Sequence, residues 1–223
     1  MLKAGIQILL FFVPWPLRRW ALNTLFGFSL DANSRIGFSI LLADEVVLAK
    51  GASLGHFNYI GRLDKLEMHE EAIIGNFNWI TGLSRKLNSL FFRKNPGRRS
   101  ELLMKRASMV AHQHYIDCSD RVEFGMYSGL AGVRSQLITH GIEPLSCRQT
   151  CTPIIVGDYT MVGTGSLITK GVKIPSYCLV SAGSVVGHVK PESYSLIAGN
   201  PAVHVRNVPE TAKFFSRTNA IIH

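Results

Sequence analysis

Acidic residues are scarce in this chain. Fifteen Asp and Glu stand against 24 Lys and Arg, for a net charge of +9, and charged residues of both signs make up only 17% of the 223 residues. With 47% hydrophobic residues, that balance excludes a disordered polymer and fits one substantial domain better than two. Cysteine is as sparse. Cys118, Cys147, Cys151 and Cys178 show no disulfide-framework spacing. The one close pair, Cys147 and Cys151, has no second pair to complete a zinc site, so reduced, buried thiols of a cytosolic protein are expected. No long apolar run crosses a bilayer either, which takes about 20 residues. The stretch from Ala4 to Val13 is broken by Gln7 and stopped by Pro14-Trp15-Pro16, and it lacks a small-residue cleavage site before Arg18-Arg19, so no signal peptide is expected. Beyond the prolines, Leu17, Trp20, Ala21, Leu25 and Phe28 recur at helical spacing. Such a helix either packs on the main domain or a neighbouring subunit, or lies in a membrane interface.

The positive excess is local. Residues 83–108 hold Arg85, Lys86, Arg93, Lys94, Arg98, Arg99, Lys105 and Arg106 against a single Glu101. A cluster of this kind attracts phosphate, acidic glycan or anionic lipid. No aromatic-interleaved or other nucleic-acid motif accompanies it, so nucleic acid is not expected as a partner.

What the chain has in abundance is rhythm. From Val156 every sixth residue is aliphatic: Val162, Ile168, Ile174, Val180 and Val186 follow, with small or turn-permissive residues beside them (Gly157, Gly163, Thr169, Pro175, Ser181, Gly187). A second run of the same pitch reads Ile36, Leu42, Leu48, Leu54, Ile60 and Leu66. Two such runs exclude accident. A period of six is neither helical nor simple strand alternation. It describes a chain that turns a corner every six residues, three hexads to a triangular coil, with one aliphatic side chain per face pointing inward. A single coil cannot bury its own core, so coils must stack into a solenoid of parallel strands. The rhythm breaks at Glu67–Ala72 and again from Leu83 to about Ala111, where Asn95-Pro96-Gly97 and the basic cluster fall, and it loosens around Cys147–Pro153. The expected organisation is an apolar helical segment over 1–30, the solenoid over 31–207 with an inserted loop at 83–111, and a tail over 208–223 in which Thr211–Phe215 forms a short capping helix.

Two stretches resemble the hexapeptide-repeat acyltransferases. Leu130-Ala131-Gly132-Val133-Arg134-Ser135-Gln136-Leu137-Ile138-Thr139-His140 is similar to the Thr-His segment of maltose- and galactoside-type O-acetyltransferases. With Gly141-Ile142-Glu143 it is closer still to the colanic-acid-type enzymes of bacterial surface-polysaccharide synthesis. Ile155–Arg206, which contains Ala198-Gly199-Asn200-Pro201-Ala202, resembles the family's cofactor-binding coils. The resemblance covers about residues 30–207. It implies an all-β, left-handed parallel β-helix, transfer of an acetyl group from acetyl-CoA to a sugar hydroxyl, a homotrimer, and a cytoplasmic protein whose contact with the inner membrane face stays open.

The chemistry can be stated apart from the family. A sugar hydroxyl is a poor nucleophile at neutral pH, so an imidazole must take its proton as it attacks the thioester, and a hydrogen-bond donor must steady the oxyanion. The resemblance assigns the base to His140. Its carboxylate partner is Asp117 or, alternatively, Glu143. His112, His114 and Arg134 are the candidates for acceptor contact. Thr164, Gly165, Ala182 and Gly183 fall where the family meets the pantetheine arm, and Arg206 where it meets the nucleotide phosphates. At Gly187-His188 this sequence departs from the Thr-Lys common in the family, and His188 or Lys190 would have to replace that cation. No resident metal is expected. Three rival readings remain: a small-molecule acceptor such as an antibiotic or serine, a zinc hydratase of carbonic-anhydrase type drawing on His56, His112, His114 and His140, and a non-enzymatic anion-binding scaffold.

Overall fold

The computed structural model describes residues 2–87, 89–187 and 189–220. Its body is a left-handed parallel β-helix. Three sheets of short parallel strands form the faces of a triangular prism, and the chain visits them in turn. The first face runs from Ser29–Leu30 to Lys173–Ile174, the second from Arg35–Ile36 to Ala202–Asn207, and the third from Ile40–Leu42 to Val185–Val186.

The C-terminal comb points inward as its spacing predicts: Val156, Val162, Ile168, Ile174, Val180 and Val186 are all buried. The N-terminal comb needs one correction. Ile36, Leu48, Leu54, Ile60 and Leu66 are buried, but Leu41 takes the inner position assigned to Leu42, because the first coil turns from its second to its third face with one residue fewer. The break at Glu67–Ala72 also has a simple cause. Strands of the first face are long enough to send two side chains inward, as in Leu66 with Met68, Leu102 with Met104, and Val122 with Phe124. The coil there is two residues longer, and Glu45 pairs with Lys65 whereas Ile155 pairs with Lys173 in the shorter coils.

The inserted loop is shorter than expected. Glu101–Met104 and Met109–His112 are regular strands of the first and second faces, so the chain leaves the solenoid only over 83–100. These two strands hid because their coil follows the excursion and restarts the count. A second projection, unforeseen as an element, is the antiparallel hairpin of His140–Glu143 with Arg148–Cys151. All four cysteines are free thiols; Cys118, Cys151 and Cys178 are buried, but Cys147 is exposed at the hairpin tip, against expectation.

Both ends of the prism are closed. At the N-terminal end lie two helices, α1 (Leu2–Leu9) and α2 (Trp15–Phe26), the latter started by Pro14 and Pro16 and stopped by the left-handed Gly27 (φ 67°). They pack on the solenoid and spend polar side chains on the open rung of each face. Gln7 donates to the Leu41 carbonyl (2.7 Å) and accepts from its N–H (2.9 Å). Arg18 donates to the carbonyls of Ile36 and Gly37, and Asn23 accepts the Leu30 N–H. Buried strand-edge groups require partners of this kind. At the other end Ser195–Gly199 continues the second face and returns antiparallel as Ala202–Asn207, reversing at the cis Asn200–Pro201 bond. The tail then forms a 3₁₀ turn, Lys213–Ser216, whose Phe215 packs edge-on against Tyr177 and Tyr194.

Corners are held in two ways. Between the second and third faces a polar column climbs the prism: Ser39, Asn58, Asn78, His114 and Ser135 each accept the backbone N–H of the next member, ending at Ser166. Between the first and second faces stands a stack of Tyr127, Tyr159, Tyr177 and Tyr194, all at positive φ, with ring centroids 4.9, 5.5 and 4.8 Å apart. Glycine is the residue that sterics favour there; the rings offset the backbone strain by stacking.

Candidate active site

Asp117 and His140 meet where the third face turns into the first. Asp117 lies on Tyr115–Cys118, whose neighbour in the sheet is Gln136–Ile138, so the residues just past that second strand stack over Asp117. His140 Nδ1 lies 2.8 Å from Asp117 Oδ2. The same oxygen accepts from the Thr139 N–H (2.9 Å) and the Thr139 hydroxyl (2.7 Å), and Oδ1 accepts from the Ser119 N–H (3.1 Å) and hydroxyl (2.7 Å). Burial alone would raise the pKa of Asp117, but the hydrogen bonds from His140, Thr139 and Ser119 outweigh it and hold the carboxyl below its usual range. An ionised Asp117 fixes the imidazole with its proton on Nδ1, leaving the Nε2 lone pair free to accept a proton. Among the described residues Nε2 has no hydrogen-bond partner, and the His140 side chain is 38% exposed. The Asp117 bond raises the His140 pKa; burial and the nearby Lys170 partly oppose this. Glu143, the alternative partner, lies on the hairpin and accepts from the Leu145 N–H instead.

Sequence reasoning missed several contributors. Phe92, brought in by the 83–100 excursion, packs edge-on against His140 at 6.1 Å. Lys170 reaches the other side, along Gly141, and donates to the Thr150 hydroxyl. Thr139 and Ser119 carry the carboxylate. Only the Thr-His pairing hinted at Thr139; the others come together through coil stacking, which no local signal records.

The remaining predicted residues lie elsewhere on the chain. His112, His114 and Arg134 sit at the corner between the second and third faces, a full strand away from His140. His114 is a correction. It is only 1% exposed, a rung of the polar column whose Nδ1 accepts the Ser135 N–H, and burial lowers its pKa to about 4. A sealed, neutral rung does not touch an acceptor. His112 is exposed, but its Nδ1 accepts the Asn76 N–H, as His56 Nδ1 accepts that of Phe38. The four histidines of the hydratase reading are therefore divided between two corners, and among the described residues no group of three His, Cys, Asp or Glu side chains is placed to hold a metal.

Thr164, Gly165, Ala182 and Gly183 form one exposed column along the same second–third corner, the Gly183 N–H donating to the Thr164 carbonyl. Gly165 and Gly183 have positive φ (66° and 70°) and open space where a Cβ would stand, so their backbone is accessible to a ligand. Arg206 is exposed on the returning strand at the C-terminal end. His188 lies outside the described residues.

No protein-family model matches the chain. Among solved structures, the polysialic acid O-acetyltransferase OatWY has the same fold, with a TM-score of 0.63 at 15% identity over 86% of this chain and 90% of that one. A mutant of AntD, an N-acyltransferase from Bacillus cereus solved with a dTDP-amino sugar and coenzyme A, superposes with a TM-score of 0.51 at 14% identity, over 79% of this chain and 84% of its own. In sequence, a tetrahydropyridine-dicarboxylate N-acetyltransferase of Clostridium perfringens is 39% identical over 62 residues, which are 28% of this chain and 26% of that protein. The chain thus matches about a quarter of the length of that curated relative. Fold and site together define the hexapeptide-repeat β-helix with a buried carboxylate–histidine pair at a corner. Within that class, one structure it superposes on, at the TM-score of 0.63, is that polysialic acid O-acetyltransferase.

Proposed function

We propose that this chain is an acyl-CoA-dependent O-acetyltransferase that moves an acetyl group from acetyl-CoA to a sugar hydroxyl, in the synthesis of a bacterial surface polysaccharide. The observation that carries this reading is the 2.8 Å contact between His140 Nδ1 and a buried, five-fold hydrogen-bonded Asp117, with Nε2 left open. Nε2 takes the proton of the acceptor hydroxyl as its oxygen attacks the thioester carbonyl; the C–S bond breaks, and the proton passes to the leaving thiolate. The exposed backbone at Gly165 and Gly183 suits the pantetheine arm, and Arg206 offers a cation for the phosphates.

The base and the pantetheine column lie at different corners of one chain. Five extended residues, as from Gly165 to Lys170, span roughly 16 Å at about 3.3 Å each. A second copy that sets its second–third corner against the first copy's His140 brings them together, and three copies close a ring. The outer surface of the third face, with the Tyr59 and Trp79 rings tilted together at 4.8 Å and Tyr115 above them, provides apolar area for that contact. Light scattering is expected to give the mass of a trimer.

Membrane contact belongs to the same reading. Among the described residues no helix is long and apolar enough to cross a bilayer. The helical pair nevertheless turns Leu9 (73% exposed), Phe12 (87%), Leu17 and Trp20 (65%) away from the solenoid, and residues 1–30 contain no Asp or Glu, with Lys3 an exposed cation and Arg19 a half-buried one. Such a surface suits an anionic lipid interface. Phe12→Ser with Trp20→Ser, which removes apolar area without adding charge, is expected to reduce sedimentation with vesicles containing phosphatidylglycerol by about tenfold.

The enzymatic test is thiol release from acetyl-CoA across neutral sugars, acidic sugars, amino sugars, serine and an aminoglycoside, with wild type and His140→Ala side by side. Release with a sugar whose only acceptor is a hydroxyl, reduced about 10²- to 10⁴-fold in the variant, is expected. Release confined to amines would make the chain an N-acetyltransferase. Full turnover by His140→Ala would remove the assignment of the base.

A further inference from the structure

Both excursions leave the solenoid from the corner that holds His140. The first, 83–100, follows the third-face strand Trp79–Gly82, and the second, the 140–151 hairpin, follows Gln136–Ile138 two coils on. They meet over the site. The Asn95 side chain donates to the Cys151 carbonyl (3.4 Å), and Arg98, buried at the root of the loop, donates to the Leu83 and Ser119 carbonyls and lies 5.2 Å from the Phe92 ring. Between them opens a cleft of about 380 Å³ lined by Leu90, Phe91, Phe92, Arg93, Lys94, Cys147, Arg148 and Gln149. Phe92 joins this cleft to His140.

Four cations of the basic cluster are committed within the protein: Arg85 pairs with Asp64, Lys86 with Asp44 and Lys105 with Glu123, and Arg98 donates to carbonyls. Arg99 and Arg106 do not line the cleft; Arg93 and Lys94 do, together with Arg148 of the hairpin. The cleft they line contains no carboxylate, and among the described residues none of the three joins an ion pair. Three unmatched cations around an apolar floor repel one another, and an anion in the cleft relieves that repulsion.

We propose that this cleft holds an anionic group of the acceptor, so that the hydroxyl presented to His140 belongs to an acidic sugar, one bearing a carboxylate or a phosphate. The inference rests on the acetyltransferase reading above and adds the acceptor's charge to it. Arg93 and Arg148 offer guanidinium forks to the oxyanion, and Lys94 a point charge. Phe91 and Leu90, both more than half exposed, face the ring's C–H surface. The phosphates of acetyl-CoA are a poorer occupant, because they lie at the opposite end of the pantetheine arm from the thioester that must reach His140.

Glucose, glucuronate and glucose 6-phosphate serve as acceptors for wild type and for a variant combining Arg93→Ala, Lys94→Ala and Arg148→Ala, with matched circular dichroism as the check on folding. Wild type is expected to favour one or both acids over glucose by about tenfold or more in kcat/KM, through KM. The triple variant is expected to lose that preference. Which acid is favoured separates carboxylate from phosphate. Equal use of all three sugars by wild type, or an acid preference that survives in the variant, overturns the proposal. So does a rise in KM for acetyl-CoA matching that for the sugar, which would give the cations to the cofactor. Calorimetric titration of both proteins with glucose 6-phosphate and glucose separates the two readings. Phosphate-dependent binding that disappears in the variant, without acetyl transfer to any acceptor, keeps the anionic cleft and discards the transferase. Transfer without any charge preference in binding or rate does the reverse.

Discussion

Asp117 receives five hydrogen bonds inside the protein, one of them from the imidazole it orients. A carboxylate so held remains ionised well below neutral pH and keeps its neighbour's proton on Nδ1. Because this contact raises the His140 pKa, the neutral base forms only as pH climbs past that raised value. The rate should therefore rise with pH along a limb centred above 6.5. Asp117→Asn should lower the plateau and move the limb to lower pH, as a pH–kcat/KM profile would record. His114 behaves in the opposite sense. Its folded pKa, about 4, lies below the ordinary 6.5, so the unfolded chain binds protons first. Its contribution to stability is complete above 6.5 and is lost as pH falls from there towards 4. His114→Asn, which repeats the acceptor used by Asn58 and Asn78, should flatten the fall in denaturation midpoint across that window. From sequence, His140 is assigned through the resemblance of its Thr-His segment to that of the hexapeptide-repeat O-acetyltransferases. His114 was misread because a rung histidine and an acceptor-facing one look alike until the neighbouring coil is present.

At the level of elements, the hexad combs were visible because a single physical requirement, one inward aliphatic side chain per face, repeats without exception through the later coils. It was obscured wherever the first face took in two. Strand Glu101–Met104 obeys the rule of its own face, yet the 83–100 excursion removed the reference phase needed to see it. The hairpin of His140–Glu143 and Arg148–Cys151 gave no sign either, since its residues alternate weakly and Cys151 is the one buried side chain among them. The tyrosine column is subtler. Turn residues are expected to be glycine or asparagine, and only the vertical repetition of rings across coils shows why tyrosine is tolerated. The polar column invites a direct test. Asn78→Ala removes the acceptor of the buried His114 N–H and should cost about 1–3 kcal/mol in urea unfolding, the penalty for an orphaned buried donor.

On the scale of the whole molecule, the prism is a stack whose every layer could serve as the template for another. Its lowest layer has unpaired backbone groups along three edges, and Gln7, Arg18 and Asn23 occupy them. Seen this way, the two leading helices act as a stopper at that end. The opposite end stays closed by the returning strand Ala202–Asn207 and the tail, so a chain lacking residues 1–28 would bare one end only. Two such bare ends should meet and double the particle mass in sedimentation velocity, whereas the intact chain keeps its own mass under the same conditions. An unchanged mass for the truncated chain would mean that something other than the helical stopper protects this end.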